Sequence, residues 1–225
     1  MRHSERALRQ TIIDLCLEMN RNGINQGTSG NISARHGDAM LLTPSATPYE
    51  DLTPEMIVSM PLDGDGTQWS GPLKPSTEWR FHRDILRARP EAGAVVHAHP
   101  VFATSLAMTR RAIPACHYMV AVFGGTDVRC SGYARYGTEA LSREALAALD
   151  GRTGCLLANH GAITIGSDAA KAMWRMVELE TLAKQYYHSL QIAGGPVILS
   201  DAEIAEVLEG FASYGLQSRE AAAVR

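Results

Sequence analysis

Cysteines are few in this chain: four in 225 residues, none in a CxxC pair, supply neither a disulfide framework nor a cysteine-based metal site. Cys16, Cys116, Cys130 and Cys155 sit in mostly apolar contexts and are expected to be reduced and buried. Histidine is left as the metal-binding resource. Positive charge is also short, with 21 Lys and Arg against 24 Asp and Glu, for a net charge of -3. No basic stripe interleaves with aromatics, so no nucleic-acid partner is expected. Runs of about 18 apolar residues are missing, and Met1-Arg2-His3-Ser4-Glu5-Arg6 lacks the apolar stretch of a secretion signal. No membrane partner and a cytoplasmic location are therefore expected. What is present is a soluble composition, 45% apolar and 20% charged, at a length that suits one sizeable core. A single domain over residues 1–225 is the expectation.

Helical periodicity runs from Ser4 through Leu8, Ile12, Leu15, Cys16 and Met19 to about Gly23. Strand-like segments follow at Asn31 to Arg35, Ala39 to Thr43, Met56 to Leu62 and Thr67 to Trp69, which suggest an antiparallel meander. A helix is expected from Ser76 to before Pro90, a buried strand from Ala94 to His99, and a helix from Pro100 to about Thr109. After an irregular stretch come a helix over Thr138 to Leu149, strands at Cys155 to Asn159 and Ala162 to Ile165, and helices at Asp168 to Leu190 and Ser200 to Phe211. Strands grouped in the middle with helices around them indicate a mixed sheet packed by helices, nearer α+β than a doubly wound repeat.

Val95-Val96-His97-Ala98-His99 carries the strongest chemical signal. Residues i and i+2 of a strand point to one face, so His97 and His99 can reach one divalent metal, and His160 follows another apolar run. Three neutral imidazoles with one position open describe a catalytic metal site. An HxH pair alone equally describes two histidines capping a buried strand, and the surroundings must decide. Gly27-Thr28-Ser29-Gly30-Asn31 reads either as a phosphate-cradling nest or as a helix-ending turn. Pro75-Ser76-Thr77-Glu78 opens a helix, where N–H groups and hydroxyls favour an anion or simply cap the helix. Glu78 there has the chemistry of a fourth ligand or a general base. Asp63-Gly64-Asp65-Gly66 imitates a calcium loop, but Gln68 and Lys74 stand where glycine and an acid are needed, so a hairpin turn is expected. Packing alone is expected to account for Trp79 and His82.

Asn25 to Asn31, Pro75-Ser76-Thr77-Glu78-Trp79-Arg80-Phe81-His82, Ala94 to His99 and Asn159-His160-Gly161 occur in this order, with Pro114 to Met119, Tyr136-Gly137-Thr138, Leu199 to Glu203 and Tyr214-Gly215-Leu216 between and after them. In these motifs the chain resembles the class II aldolase/adducin family over nearly its whole length, most of all the members that cleave L-fuculose 1-phosphate. The resemblance implies a three-layer α/β/α fold with a central, largely antiparallel mixed sheet, and a homotetramer with active sites between subunits. It implies Zn2+, with Mn2+, Co2+ or Fe2+ as substitutes, on His97, His99 and His160, and Glu78 as exchangeable fourth ligand and acid/base. Thr28, Gly30, Asn31, Ser45, Ala46, Ser76 and Thr77 match phosphate-binding positions. Tyr118, from a neighbouring subunit, matches the tyrosine at the aldehyde oxygen, and Tyr214 one that closes the site. The implied reaction is cleavage of a phosphorylated sugar, L-fuculose 1-phosphate or a 5-deoxy- or 5-methylthio-ribulose 1-phosphate, to dihydroxyacetone phosphate and a small aldehyde. The resemblance also covers a methylthioribulose-phosphate dehydratase, a pentulose-phosphate 4-epimerase, against which Glu78 argues, and a non-catalytic adducin-like scaffold. Ser45-Ala46 stand where such aldolases carry Thr-Gly, Thr77 where they carry Ser, and Tyr136, on the aldehyde side, where they carry Phe.

Overall fold

In the computed structural model, which describes residues 3–213, helix α1 (His3–Arg21) leads into a meander of β1 (Asn31–His36), β2 (Ala39–Leu42) and β3 (Val58–Pro61). Helix α2 (Trp79–Ala88), strand β4 (Ala94–Ala98) and helix α3 (Val101–Met108) follow. Two short strands, β5 (Ile113–Pro114) and β6 (Asp127–Val128), pair with each other. Helix α4 (Glu139–Ala148), strands β7 (Gly154–Leu157) and β8 (Gly161–Gly166), and helices α5 (Ala169–Ser189) and α6 (Asp201–Ser213) complete the described chain.

Six strands form one sheet in the order β3-β2-β1-β4-β8-β7, and each of these pairings is antiparallel. Among the described residues the parallel contribution is one isolated bridge, Cys130 to Leu156. Strand β4 lies between β1 and β8, and its alternation decides the layers. Ala94, Val96 and Ala98 pack with Ile12, Cys16, Ala103, Met176 and Leu179 of α1, α3 and α5. Val95 faces the other way, onto Phe81, Ile85, Leu86, Leu141 and Ala145 of α2 and α4. Helices therefore cover both sheet faces, the expected three layers.

The helix ends are fixed by side chains. Thr138 accepts from Leu141 N at 3.3 Å and Asp168 from Lys171 N at 2.7 Å, each as an N-cap. Helix α3 starts directly after β4, and Glu180 of α5 accepts from its first free N–H groups, Phe102 N at 2.9 Å and Ala103 N at 2.8 Å. That clamp holds the chain just beyond His99.

Three local expectations are corrected. No strand forms over residues 67–69; a single antiparallel bridge, Ser59 to Ser70, closes the loop, while Asp65 accepts from both Thr67 N and Thr67 Oγ1. A side chain that captures the following N–H competes with the ladder. Helix α2 begins at Trp79 with Glu78 as its cap residue, so Ser76 and Thr77 precede the helix in a turn. All four cysteines are free, but Cys116 and Cys130 are half-buried rather than buried. Tyr214 and the motif it opens lie outside the described residues.

Candidate metal and phosphate site

The antiparallel register sets the site. Asn31 of β1 lies opposite His97 of β4, and His97 opposite Ile163 of β8. His97 and His99 leave the sheet on the α2 side, with the His97 ring edge-on to Phe81. His160 enters from the turn between β7 and β8, where Asn159 adopts φ 55 and is held by its N–H on Ala107 O at 3.0 Å. Asparagine accepts that left-handed conformation readily. The ligating atoms of His97, His99 and His160 all lie within 4.8 Å of one another.

Hydrogen bonds leave these nitrogens poised for a cation. His97 Nδ1 is 2.9 Å from Ala162 O and must donate to it, so in the neutral ring Nε2 is the nitrogen that presents a lone pair. That lone pair meets His99 Nε2 at 3.1 Å. Burial foremost, and then the neighbouring imidazoles, lower the His99 pKa to about 4, so it stands neutral. Glu78 is 6% exposed, with Oε2 3.2 Å from His97 Nε2 and Oε1 3.2 Å from His160 Nε2. Oε1 lacks the angle of a hydrogen bond to any group and is an orphaned buried acceptor. Burial works to raise the Glu78 pKa, but in the metal-free site His97 and His160, when they carry the proton between them and the carboxylate, outweigh it and hold the carboxyl well below its ordinary range. Ligand atoms about 2.0–2.2 Å from a tetrahedral metal lie about 3.3–3.6 Å apart, between the 3.1–3.2 Å contacts and the 4.8 Å outer limit found here. An orphaned carboxylate oxygen among imidazole lone pairs at this spacing fits a divalent metal.

Glu78 is also held from behind. Asn31 Nδ2 donates to Glu78 Oε2 at 2.9 Å, Asn31 Oδ1 is 2.5 Å from His82 Nε2, and His82 Nδ1 is 2.7 Å from Ser33 Oγ. Burial foremost lowers the His82 pKa to about 3.

A cleft of about 420 Å3 opens over the metal side. Thr28, Gly30, Asn31, Ser45, Ala46, Ser76 and Thr77 line it together with Glu78, His99 and His160. Two strips of chain are zipped to make its wall: Ser76 N donates to Thr43 O at 3.1 Å and Ser45 N to Lys74 O at 3.0 Å. Gly30 is required at its place, since a Cβ there would lie 2.9 Å from His97 O and 2.7 Å from Met19 Cε. Hydroxyl-bearing Thr28, Ser45, Ser76 and Thr77 thus line the same cleft as two imidazoles and a carboxylate, an arrangement with the chemistry to take an anion beside a cation.

The class II aldolase and adducin N-terminal domain family matches residues 10–187. The chain belongs to this class II aldolase and adducin family. It is 51% identical over 209 residues, 93% of each chain, to the 5-methylthioribulose-1-phosphate/5-deoxyribulose-1-phosphate aldolase of Rhodospirillum rubrum. It is 47% identical over 213 residues to the L-fuculose phosphate aldolase of Escherichia coli K12, covering 95% of this chain and 98% of that one. A solved L-fuculose 1-phosphate aldolase superposes with a TM-score of 0.86 at 35% identity, over 91% of this chain and 96% of that chain. Class II aldolases use a metal, and the three imidazoles are where this member can hold one.

Tyr118 stands apart from the cleft of this class II aldolase family member. It sits in a turn of 3-10 helix over Tyr118–Phe123, 49% exposed, and lines a different hollow with Lys171, Trp174 and Phe211. Lys171 stacks on Trp174 and Lys184 on Phe102, and neither lysine lines the cleft. Four residues that the sequence reading left out of the site belong to it or support it. Asn25 Oδ1 accepts from His99 N at 3.3 Å and from Ser29 Oγ at 3.1 Å, tying the glycine loop to β4. Tyr133 and Asn159 line the cleft, with Tyr136 beside them. His82, expected merely to pack, reaches Glu78 through Asn31. Its signal was available: His82 lies one turn beyond the helix-cap residue Glu78, and Asn31 and Ser33 are two apart on a strand, so each pair comes to one side.

Proposed function

We propose that this protein is a metal-dependent aldolase that reversibly cleaves a ketose 1-phosphate to dihydroxyacetone phosphate and a small aldehyde, with the whole chain, 1–225, as one catalytic domain. The observation that carries this reading is one cleft lined by His99, His160 and Glu78 together with Gly30, Asn31, Ser45, Ser76 and Thr77. His97, His99 and His160 would hold the metal, and a set of three imidazoles and one carboxylate favours Zn2+. Bound there, the metal supplies Lewis acidity toward the ketone and neighbouring hydroxyl oxygens of the substrate.

The glycine loop and the Ser45, Ser76 and Thr77 strips fix the phosphate, with Thr28 and Ala46 shaping the same wall. Tyr118 of a neighbouring copy, as the phenolate, removes the proton of the C4 hydroxyl and later returns it to solvent, the C3–C4 bond breaks, and its electron pair goes to C3. Glu78, which would be the fourth ligand of that metal, takes up a proton from solvent once substrate separates its carboxylate from His97 and His160, and delivers that proton to C3. Tyr214 is assigned a catalytic role from the family resemblance alone. A lysine imine is not required. Because Tyr118 does not line the cleft of its own chain, a homotetramer with active sites between subunits completes the constellation. The phosphorylated substrate is too charged to cross a membrane unaided, which suits a cytoplasmic enzyme.

Tyr133 and Tyr136 form the aldehyde wall, and an apolar wall separates tails by only ~1–3 kcal/mol per methylene. We therefore assign both L-fuculose 1-phosphate and 5-deoxy- or 5-methylthio-ribulose 1-phosphate as substrates. The test is a cleavage assay over these compounds, with dihydroxyacetone phosphate read by a coupled reductase. Its release, abolished by chelator and restored by Zn2+, is the expected result. Formation of a dehydrated diketone with no dihydroxyacetone phosphate would replace the aldolase by a dehydratase.

A further inference from the structure

Behind the carboxylate of Glu78 runs a buried polar chain that ends in the core. Asn31, His82 and Ser33 are 5%, 0% and 0% exposed. Their contacts, 2.9 Å from Asn31 Nδ2 to Glu78 Oε2, 2.5 Å from Asn31 Oδ1 to His82 Nε2 and 2.7 Å from His82 Nδ1 to Ser33 Oγ, leave no room for water. The ring of Phe81 stacks on His82 at 4.7 Å and covers its open face.

We propose that His82 is a positioning residue for Glu78: its Nε2–H donates to Asn31 Oδ1 and so locks the Asn31 amide with its NH2 on the Glu78 carboxylate. The lock follows from donor and acceptor arithmetic. An ionised carboxylate only accepts, so Asn31 must present Nδ2 to it and Oδ1 to His82. Oδ1 in turn needs a donor, which places the ring proton on Nε2 and leaves Nδ1 to accept from the Ser33 hydroxyl. In the opposite tautomer the amide turns over, its carbonyl faces a carboxylate, and the Ser33 hydroxyl hydrogen loses its partner in a dry core. Both changes leave buried polar groups unmet. His82 therefore fixes the direction in which the Glu78 oxygens point without touching substrate. The functional consequence rests on the acid/base role proposed for Glu78, whereas the tautomer does not.

Two measurements on the intact, metal-loaded protein test this. The first is 15N NMR of histidine-labelled protein, with His82 assigned by its loss in His82→Gln. The expected signature is the Nε2–H tautomer, and an Nδ1–H signature overturns the proposal. The second is steady-state kinetics on a cleavable ketose 1-phosphate. His82→Leu should lower kcat about 10- to 100-fold, the scale of a misplaced reacting group, with KM within about threefold. His82→Gln, whose amide N–H can occupy the place of Nε2–H, should restore most of kcat. An unchanged kcat in His82→Leu, or equal losses in the Leu and Gln variants, overturns the proposal. Should His82→Leu fail to fold, Ser33→Ala serves in its place, with a mixed tautomer signal and a lower kcat expected and wild-type behaviour overturning the idea. Glu78→Gln separates the two readings: turnover retained there removes Glu78 from the chemistry and this role with it, whereas turnover lost there but kept in His82→Leu refutes His82 alone.

Discussion

Replacing Gly161 by alanine tests how tightly the histidine cluster is built into the sheet. Gly161 opens β8 opposite Leu157 of β7. A Cβ on it would lie 2.5 Å from the Ala98 carbonyl oxygen and 2.6 Å from Cδ2 of His99. Carbon contacts are relaxed at about 3.5–4.0 Å, so the methyl overlaps the ring by about 1 Å. The Ala98 carbonyl belongs to β4, which is bonded on both sides to β1 and β8 and has little freedom to retreat. The His99 ring is the softer neighbour and must swing away from His97 and His160. Overpacking of a rigid site costs about 1–3 kcal/mol, and a clash with central-strand backbone belongs at the upper end. Urea denaturation of chelated protein should therefore show a loss of about 2–3 kcal/mol, and calorimetric titration with Zn2+ a fall in affinity of tenfold or more. Gly151→Ala is the control: Gly151 has φ +64 with nothing within 4 Å of its added Cβ, so it should lose about 1 kcal/mol by backbone strain alone and bind metal normally. Wild-type stability and metal affinity in Gly161→Ala would refute the steric argument.

Glu78→Gln keeps the size of the side chain and the three imidazoles, so metal analysis should find most of the metal retained while kcat falls at least about 100-fold; near-normal turnover would remove Glu78 from proton transfer. Ala46 holds φ 51 in the cleft wall. Ala46→Gly should relieve the left-handed strain and raise stability by up to about 1 kcal/mol in thermal unfolding, since the extra freedom of the unfolded glycine offsets part of the gain. His82, with its pKa lowered to about 3 by burial, stays neutral in the folded metal-free protein while the unfolded chain takes up a proton below 6.5. Stability is then complete above pH 6.5 and falls as pH drops toward 3, by about 2 kcal/mol for this residue at pH 5. Denaturation of chelated wild-type and His82→Gln protein at pH 7.5 and 5 isolates this contribution, and an equal pH dependence in the two would refute it.

The sequence alone determined those parts of the protein that depend on local period and residue chemistry. Alternation along Val95 to His99 placed two imidazoles on one face, and helical spacing located α1, α4 and α5 to within a residue or two. The ordered motifs from Asn25 to His160 pointed to the family, because several separated chemical groups in register are far harder to produce by chance than one. Local signals failed where a side chain diverted the backbone, as Asp65 does over residues 67–69. Tertiary structure alone decided which groups meet. The register that sets Asn31 opposite His97 makes the relay from His82 to Glu78, and a slip of one residue would turn Asn31 to the opposite face of the sheet. The same packing brings Tyr133 and Tyr136 into the cleft and leaves Tyr118 outside it. Spacing along a strand or helix is fixed by bond geometry, whereas meetings between segments tens of residues apart depend on sheet register and on which helices cover which face.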